Sequence, residues 1–441
     1  MTTSNTYKVY FMTFGCKVNS YETECMRSGF ISAGFEVCED KNSADVILIN
    51  SCTVTGSGDS KSLYAVRKAR KDCPDSVIVL TGCLPQADPD IDKKIPEADI
   101  ITGTKDRKNI PNLVIEFIKN KNKISEIIPY GNHDDFEITE YESSFSHTRA
   151  FVKIQDGCNC FCSYCIIPYA RGRCRSKPLD VLGNEVKMLA ERGHKEIVLV
   201  GINLAFYGKE YNLRLADAVE ECSKINGIER IRLSSIEPEM ILDKDLERLS
   251  KIEKLCPQFH LSLQSGCART LKAMNRRYNP DEYYSLTRKI LEYFPNASFT
   301  TDIMVGFPEE TEQDFEESLA FAEKIGFAKI HVFQYSPRKG TPAAKMKQVP
   351  KDIKMRRADR MKALGEKLRE EYLERQVGKT VPVLFERENS AEFHQGHAPD
   401  YTLIKVPKGN PEKSLQNYIF YVKIIEGCHD CCLGILKGEN Q

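Results

Sequence analysis

No stretch of about 18 consecutive apolar residues occurs in this 441-residue sequence, so its pattern contains no membrane-spanning helix. The opening residues, Met-Thr-Thr-Ser-Asn-Thr-Tyr-Lys, lack the apolar core of a secretory signal, and the two absences together predict a cytoplasmic protein with no membrane partner. Charge of neither sign is in excess: 63 Lys and Arg balance 63 Asp and Glu. Any polyanion must therefore be gripped by a local patch, not by the bulk field. Solenoid-period repeats and low-complexity tracts are missing as well, which excludes an array or a compositional tail. Hydrophobic residues at 41% and charged residues at 29% are ordinary globular values, and the length predicts two or three domains.

What the chain has in quantity is cysteine, 17 residues of it. A reducing compartment disfavours a disulfide framework, so metal ligation is the better reading for those that cluster. Cys158, Cys162 and Cys165 form C-x-x-x-C-x-x-C in one short loop directly after a predicted strand, with Cys160 a bystander that breaks the spacing. A four-iron cube normally takes one thiolate per iron, so three ligands leave one iron open to other chemistry. Zinc is the bland alternative, but it requires four N or S ligands and usually a distant second pair.

Cys16, Cys52 and Cys83 form a dispersed trio. Apolar runs at 7–14, 45–49 and 76–80 read as buried strands, and helical spacing at 20–34 and 61–71 lies between them. This β-α-β-α-β pattern predicts a small parallel sheet, with all three cysteines just past the carboxyl ends of its strands, where open α/β sheets bind ligands. Each cysteine alone would be read as buried packing. Three at strand ends favour ligation of a second cluster, one ligand short like the first.

A polar, acidic stretch at 131–148 reads as a linker between a first domain, 1–130, and a second, 149–374. Candidate strands at 150–155, 196–200, 230–234, 259–263, 298–305 and 329–335 alternate with amphipathic stretches such as 179–192. They predict a partial β/α barrel with chemistry at its carboxyl mouth. The two trios would then sit on two different α/β layers. Residues 350–375 are charged and helix-prone. From 375 to 441 short β-like runs at 381–386, 401–406 and 418–424 suggest a small all-β barrel. The fold class is α/β with an all-β tail. Gly56-Ser-Gly-Asp-Ser-Lys-Ser62 fails the phosphate-loop spacing and reads as a turn entering a helix.

The loop trio, with Tyr164 before its last cysteine, resembles the radical S-adenosylmethionine enzymes. That resemblance implies a partial β/α barrel, a 4Fe–4S cluster whose open iron is chelated by S-adenosylmethionine, and release of a 5′-deoxyadenosyl radical. It also implies cofactor contacts at strand ends: Gly201 and Asn203, Ser235 and Glu237, Gln264, and Asp302. As single residues Asn203 and Asp302 read equally well as loop caps, and Arg276 more readily as a solvated arginine than as a carboxylate's partner.

Gly15-Cys-Lys-Val-Asn19, Asn50-Ser-Cys-Thr-Val-Thr55 and Thr81-Gly-Cys83 resemble the amino-terminal domain of methylthiotransferases. The resemblance continues through His260-Leu-Ser-Leu-Gln-Ser-Gly266, Thr301-Asp-Ile-Met-Val-Gly-Phe-Pro308 and Tyr335-Ser-Pro-Arg-Lys-Gly-Thr-Pro342. It implies a second 4Fe–4S cluster that carries the sulfur, an RNA-binding TRAM barrel at the carboxyl end, and a low-potential electron donor of flavodoxin or ferredoxin type. Lys17-Val-Asn19 with Tyr21-Glu-Thr-Glu24, and Ile166-Ile-Pro-Tyr-Ala-Arg-Gly172, look most like the group acting on threonylcarbamoyl-adenosine in the tRNA anticodon stem-loop. The alternatives are isopentenyl-adenosine in tRNA, an aspartate of a ribosomal protein, or a non-catalytic metal-cluster RNA-binding module.

Lys153, Arg171, Arg173, Arg175 and Lys177 face Asp156 alone across residues 153–177, a basic patch suited to phosphate or a threonyl carboxylate. The tail has eight basic and eight acidic residues, so RNA binding there must rest on a local face or on stacking by residues such as Phe393 and Tyr401, the bland alternative being a plain solvated barrel. Cys428-His-Asp-Cys-Cys432 clusters without a second ligand pair nearby, and departs from the family pattern at the final strand. Cys25, Cys38, Cys73, Cys174, Cys222, Cys256 and Cys267 show no partner spacing and read as structural.

Overall fold

Alternate residues of the central amino-terminal strands feed opposite cores, which is why those runs are apolar throughout. In the computed structural model, which describes residues 6–88, 90–139, 148–387, 390–408 and 414–437, six parallel strands form one sheet. They are β1 (Lys8–Thr13), β2 (Glu36–Val37), β3 (Val46–Ser51), β4 (Val77–Gly82), β5 (Ile100–Thr102) and β6 (Ile124–Glu126), in the order β2-β1-β3-β4-β5-β6. Val46, Leu48, Val77 and Val79 pack on one face with Phe30 and Phe117. Ile47, Ile49, Ile78 and Leu80 pack on the other with Val66 and Leu84. Burial on both faces is the signature of a parallel sheet covered by crossover helices, here Lys17–Ser32, Gly56–Asp72 and Ile110–Asn120. The Gly56 segment is helical from its first residue, capped by the Thr55 hydroxyl accepting from Gly58 N–H at 3.1 Å. The three outer strands escaped sequence reading because they are only two or three residues long.

Packing divides the chain into two compact units. The first comprises Met1–Ser144, Gln155–Lys177 and Ser336–Thr341; the second comprises Phe145–Ile154, Pro178–Tyr335 and Pro342–Gln441. The loop bearing Cys158, Cys162 and Cys165 thus packs with the amino-terminal sheet, which corrects the expectation of trios on two different layers. Residues 140–147 of the expected 131–148 linker lie outside the described residues.

In the second unit β7 (Arg149–Lys153), β10 (Glu196–Val200) and β11 (Arg230–Leu233) form one parallel sheet. Between β7 and β10 in sequence lie β8 (Gln155–Asp156) and β9 (Arg175–Ser176), an antiparallel pair of the first unit. The strand of β11 breaks at Ser234 and resumes as β12 (Ser235–Ile236), which joins β13 (Gln258–Leu261), β14 (Ser298–Val305) and β15 (Lys329–Gln334). Six parallel strand positions therefore follow one another as a partial β/α barrel, at the positions read from sequence.

The tail closes a five-stranded barrel from β16 (Thr380–Phe385), β17 (Phe393–His397), β18 (Leu403–Pro407), β19 (Ile419–Gly427) and β20 (Cys432–Leu436). β17 and β20 were not anticipated; β17 has Gln, Gly and two His instead of an apolar run. The final strand is present despite the unusual Cys428–Cys432 segment, because Cys432 fills the barrel core beside Leu373, Val383 and Val422.

The small barrel is fastened to the starting ends of the central strands. Arg230 donates to the carbonyls of His397 at 2.9 Å and Pro382 at 2.8 Å, and Arg232 to that of Pro399 at 2.8 Å. Arg232 also binds the Glu196 carboxylate at 3.0 Å, Ser298 donates to Asp400 O at 2.9 Å, and Arg149 pairs with Glu386 at 3.2 Å. Every anchor sits at or near the amino-terminal end of a strand, so the small barrel lies opposite the carboxyl mouth. His397 is 2.5 Å from Glu386 and stacks on Tyr401 with ring centroids 4.6 Å apart.

Burial, with Arg149 and Arg232 adding to it and Glu386 opposing, holds the His397 imidazole below its ordinary range. The folded value then lies below the unfolded value of about 6.5, so this contribution to stability is complete above that pH and declines as pH falls through it. Thermal unfolding followed by circular dichroism should show a lower Tm at about pH 5 than at about pH 7.5. His397→Gln should flatten that slope, and an unchanged slope would remove His397 as its source.

Candidate metal centre

Each cysteine of the dispersed trio is placed by the turn that ends its strand. Cys16 is the N-cap of the helix Lys17–Ser32, Cys52 follows β3 directly, and Cys83 begins the short helix Cys83–Ala87 after β4. Because β1, β3 and β4 are adjacent and parallel, their carboxyl ends deliver three cysteines to one sheet edge. Two glycines make this approach possible. Gly15 has φ +105°, and a Cβ there would stand 2.8 Å from Cys52 Sγ; Gly82 has φ +101°, and a Cβ there would stand 2.6 Å from Ser51 O. Asn19 clamps the same edge, donating to Phe14 O at 2.8 Å and Ser51 O at 2.9 Å.

The thiols differ in setting: Cys16 is exposed, whereas Cys52 and Cys83 are buried. Burial raises the Cys52 thiol and pushes Cys83 up to about 12, with the Arg171 guanidinium opposing the rise. Without a ligand Cys83 is a protonated thiol at neutral pH, and metal ligation would displace that proton.

The loop trio stands between β8 and β9. Cys158 N–H donates to Gly172 O at 3.1 Å and Cys165 N–H to Cys162 O at 3.0 Å, folding the loop on itself. Cys160 is buried and its N–H points at Cys158 Sγ, 3.5 Å away. Cys162 is buried, while Cys158, Cys165 and Tyr164 are half-buried.

Between the trios lies a buried ionic network that sequence reading did not isolate. Arg171, 0% exposed, uses all five of its N–H donors. Nε donates to Cys83 Sγ at 3.2 Å; Nη1 donates to Glu22 at 2.8 Å and Asp156 at 3.2 Å; Nη2 donates to Asn19 Oδ1 at 2.7 Å and Glu22 at 3.0 Å. Arg107 joins Glu22 at 3.0 Å to Glu137 at 2.9 Å, and Arg175 binds Asp156 at 3.1 Å. Three buried guanidinium groups thus meet three carboxylates, of which Glu22 and Asp156 are buried and Glu137 is half-buried.

This network overturns the basic surface patch. Lys153, Arg171, Arg175 and Lys177 are all buried, and of the five cations Arg173 alone is exposed. Arg171, Arg175 and Lys177 are occupied inside the fold, Lys177 by the Tyr21 hydroxyl at 3.2 Å. Counting charges along the sequence cannot distinguish a solvated cation from one paired in the interior.

The strand-end residues expected at the barrel mouth lie in the second unit. Gly201 and Asn203 follow β10, Asn203 buried at the start of the turn Leu204–Phe206. Ser235 lies in β12 with Glu237 just beyond it. Arg276 forms an ion pair with Glu237, with its side chain 3% exposed, and so is not the solvated arginine that its sequence suggests. Gln264 adopts φ +65° and bridges two strand ends, its N–H donating to Asp302 O at 2.9 Å and its carbonyl accepting from Met304 N–H at 2.8 Å. Asp302 approaches His260 Nε2 at 3.2 Å. Tyr401 is also reassigned: it is gripped by Arg232 and Arg149, 4.6 and 5.1 Å from its ring centroid, which takes it out of any stacking role.

Among the described residues no three His, Cys, Asp or Glu side chains converge closely enough to share one metal ion. Ligands of a cube need not meet at one ion, because each thiol binds a different iron. The donor set fits 4Fe–4S clusters: three soft sulfurs per site, a glycine, Gly15, where a Cβ would obstruct the Cys52 sulfur, and a buried cation beside Cys83.

Comparison with known proteins agrees. Residues 152–322 match the radical SAM superfamily and residues 8–103 match the uncharacterized protein family UPF0004. A threonylcarbamoyladenosine tRNA methylthiotransferase, MtaB, of Aquifex aeolicus (strain VF5) is 39% identical, the alignment covering 87% of this chain and 93% of that protein. Its namesake from Bacillus subtilis (strain 168) is 36% identical over 95% of this chain and 94% of its own. A tRNA-2-methylthio-N(6)-dimethylallyladenosine synthase of Bacillus subtilis (strain 168) is 36% identical over 91% and 81%. Among solved structures, the radical S-adenosylmethionine methyltransferase TsrM of Kitasatospora setae shares the fold, with TM-score 0.58 at 12% identity over 77% of this chain and 75% of that one.

Gly15→Ala should cost about 1–2 kcal/mol in backbone strain and drive a methyl group against Cys52. After anaerobic reconstitution, iron per chain should fall to about half, one cluster of two. Unchanged iron would show that the approach of Gly15 to Cys52 does not limit cluster binding.

Proposed function

We propose, from the premise that the chain belongs to the radical S-adenosylmethionine tRNA methylthiotransferase family, that it inserts a methylthio group at C2 of threonylcarbamoyl-adenosine beside the tRNA anticodon. The observation that carries this reading is the packing of both cysteine trios in one unit, with Arg171 from the loop segment bonded to Cys83 of the strand-end set. S-adenosylmethionine and two 4Fe–4S clusters supply a carbon-centred radical and the sulfur to be transferred. Cys158, Cys162 and Cys165 would hold the radical-forming cluster, and Cys16, Cys52 and Cys83 the sulfur-carrying one. Tyr164, Gly201, Asn203, Ser235, Glu237, Gln264, Arg276 and Asp302 would bind S-adenosylmethionine, with Arg276 orienting the Glu237 carboxylate and opposing the rise that burial imposes on it.

The relatives' names support the substrate. Threonylcarbamoyl enzymes of Aquifex aeolicus and Thermotoga maritima are 39% and 38% identical to this chain, and the dimethylallyl enzyme of Bacillus subtilis is 36% identical. We assign the tRNA-binding face of the small barrel to Tyr418 and Tyr421, 59% and 60% exposed, keeping Phe393 as a candidate and replacing Tyr401. A cytoplasmic setting and a flavodoxin- or ferredoxin-type electron donor complete the reading.

Replacing Cys158, Cys162 or Cys165 by Ala should abolish reductive cleavage of S-adenosylmethionine. Replacing Cys16, Cys52 or Cys83 should leave cleavage in place and abolish methylthiolation. Mass spectrometry of tRNA nucleosides from cells lacking the protein should show loss of the methylthio mark on threonylcarbamoyl-adenosine. Loss confined to the isopentenyl nucleoside would transfer the assignment to the dimethylallyl-type reaction. Tyr418→Ala with Tyr421→Ala should weaken tRNA binding in an electrophoretic shift assay by about 1–3 kcal/mol per lost stacking contact, and undiminished binding would clear this face of the role.

A further inference from the structure

Arg171 is an unusual neighbour for a cluster ligand. It follows the loop trio in sequence, yet its Nε–H is directed at Cys83 Sγ of the other trio, 3.2 Å away, and its remaining four N–H groups are held by Glu22, Asp156 and Asn19. Those partners come from two directions. Asn19 and Glu22 lie on the helix that Cys16 caps, and Asp156 lies at the base of the loop trio. The guanidinium therefore cannot swing away from Cys83 without leaving buried carboxylates unpaired, which is strongly unfavourable.

A three-thiolate cluster becomes more negative on reduction, and its potential responds to hydrogen bonds on the ligating sulfurs and to nearby charge. We infer that Arg171 is a positioning residue for the strand-end cluster, whose hydrogen bond to the Cys83 sulfur raises that cluster's electron affinity while Glu22 restrains the rise. This rests on the reading of Cys83 as a cluster ligand. The two residues act with opposite signs: removing the guanidinium makes the cluster harder to reduce, and neutralising the carboxylate makes it easier. The loop cluster lacks this bond to Arg171 and keeps its own potential. The two clusters thereby receive separate potentials from one buried ion network.

The test uses the full-length chain carrying Cys158→Ala, Cys162→Ala and Cys165→Ala, so that the strand-end cluster alone contributes the signal. Iron and sulfide are counted after anaerobic reconstitution, and the midpoint potential is read by electron paramagnetic resonance during titration with dithionite. Arg171→Met is expected to shift the midpoint to lower potential, Arg171→Lys to shift it less, and Glu22→Gln to shift it higher. A merely structural role would not produce opposite signs. Equal midpoints in all variants with iron retained would overturn the inference. If a folded Arg171→Met chain has lost its iron, the midpoints of Arg171→Lys and Glu22→Gln decide, and equal midpoints in those two would overturn the inference. If that variant fails to fold by circular dichroism, Arg171→Lys and Glu22→Gln decide the matter. Absence of iron from the parent with intact Cys16, Cys52 and Cys83 would instead refute the ligand assignment on which the inference rests.

Discussion

The buried guanidinium of Arg171 is the interaction on which the amino-terminal unit depends. A fully desolvated cation is tolerated only when its donors are satisfied and its charge is met, and here five donors find five acceptors among Glu22, Asp156, Asn19 and Cys83. The consequence is geometric. Satisfying that one side chain draws the helix after Cys16, the strand end before Cys83 and the base of the Cys158–Cys165 loop to a common point. The sheet supplies the edge and the glycines supply clearance, but the ion network determines where the loop stands against them.

The second unit solves a different problem with the same residue type. Arg149, Arg230 and Arg232 fasten the small barrel by donating to its carbonyls and carboxylates and by flanking Tyr401, with Glu196 buried among them. These anchors lie at the starting ends of the strands, whereas Gly201, Asn203, Glu237, Gln264 and Asp302 lie at or toward the carboxyl ends. The same anchoring leaves Tyr418 and Tyr421 on the outer surface of the small barrel.

Much of this was legible beforehand. The six strands of the central barrel announce themselves as apolar runs of adequate length, and the loop trio as a spacing that few other sites share. Strands such as Glu36–Val37, Ile124–Glu126 and Phe393–His397 were not legible, because two or three residues carry no period and a strand of Gln, Gly and His carries no apolar signal. Arg276 and Tyr401 were misread for a related reason. Each looks like a surface residue by type, and each is held by a partner far away in sequence, Glu237 in one case and Arg232 in the other.

The sequence by itself determined the chemistry: cysteines in two sets of three, glycines before Cys16 and Cys83, and the strand-to-helix alternation that brings residues to one sheet edge. These are local properties of spacing and backbone preference, so they survive reading one residue at a time. Only the tertiary structure decided that the two sets share one compact unit and that four of five neighbouring cations are buried in the interior, not offered to phosphate. Whether a charge is solvated or neutralised depends on groups from elsewhere in the chain that reach it in space, as Glu22 reaches Arg171, and linear order does not encode that distance.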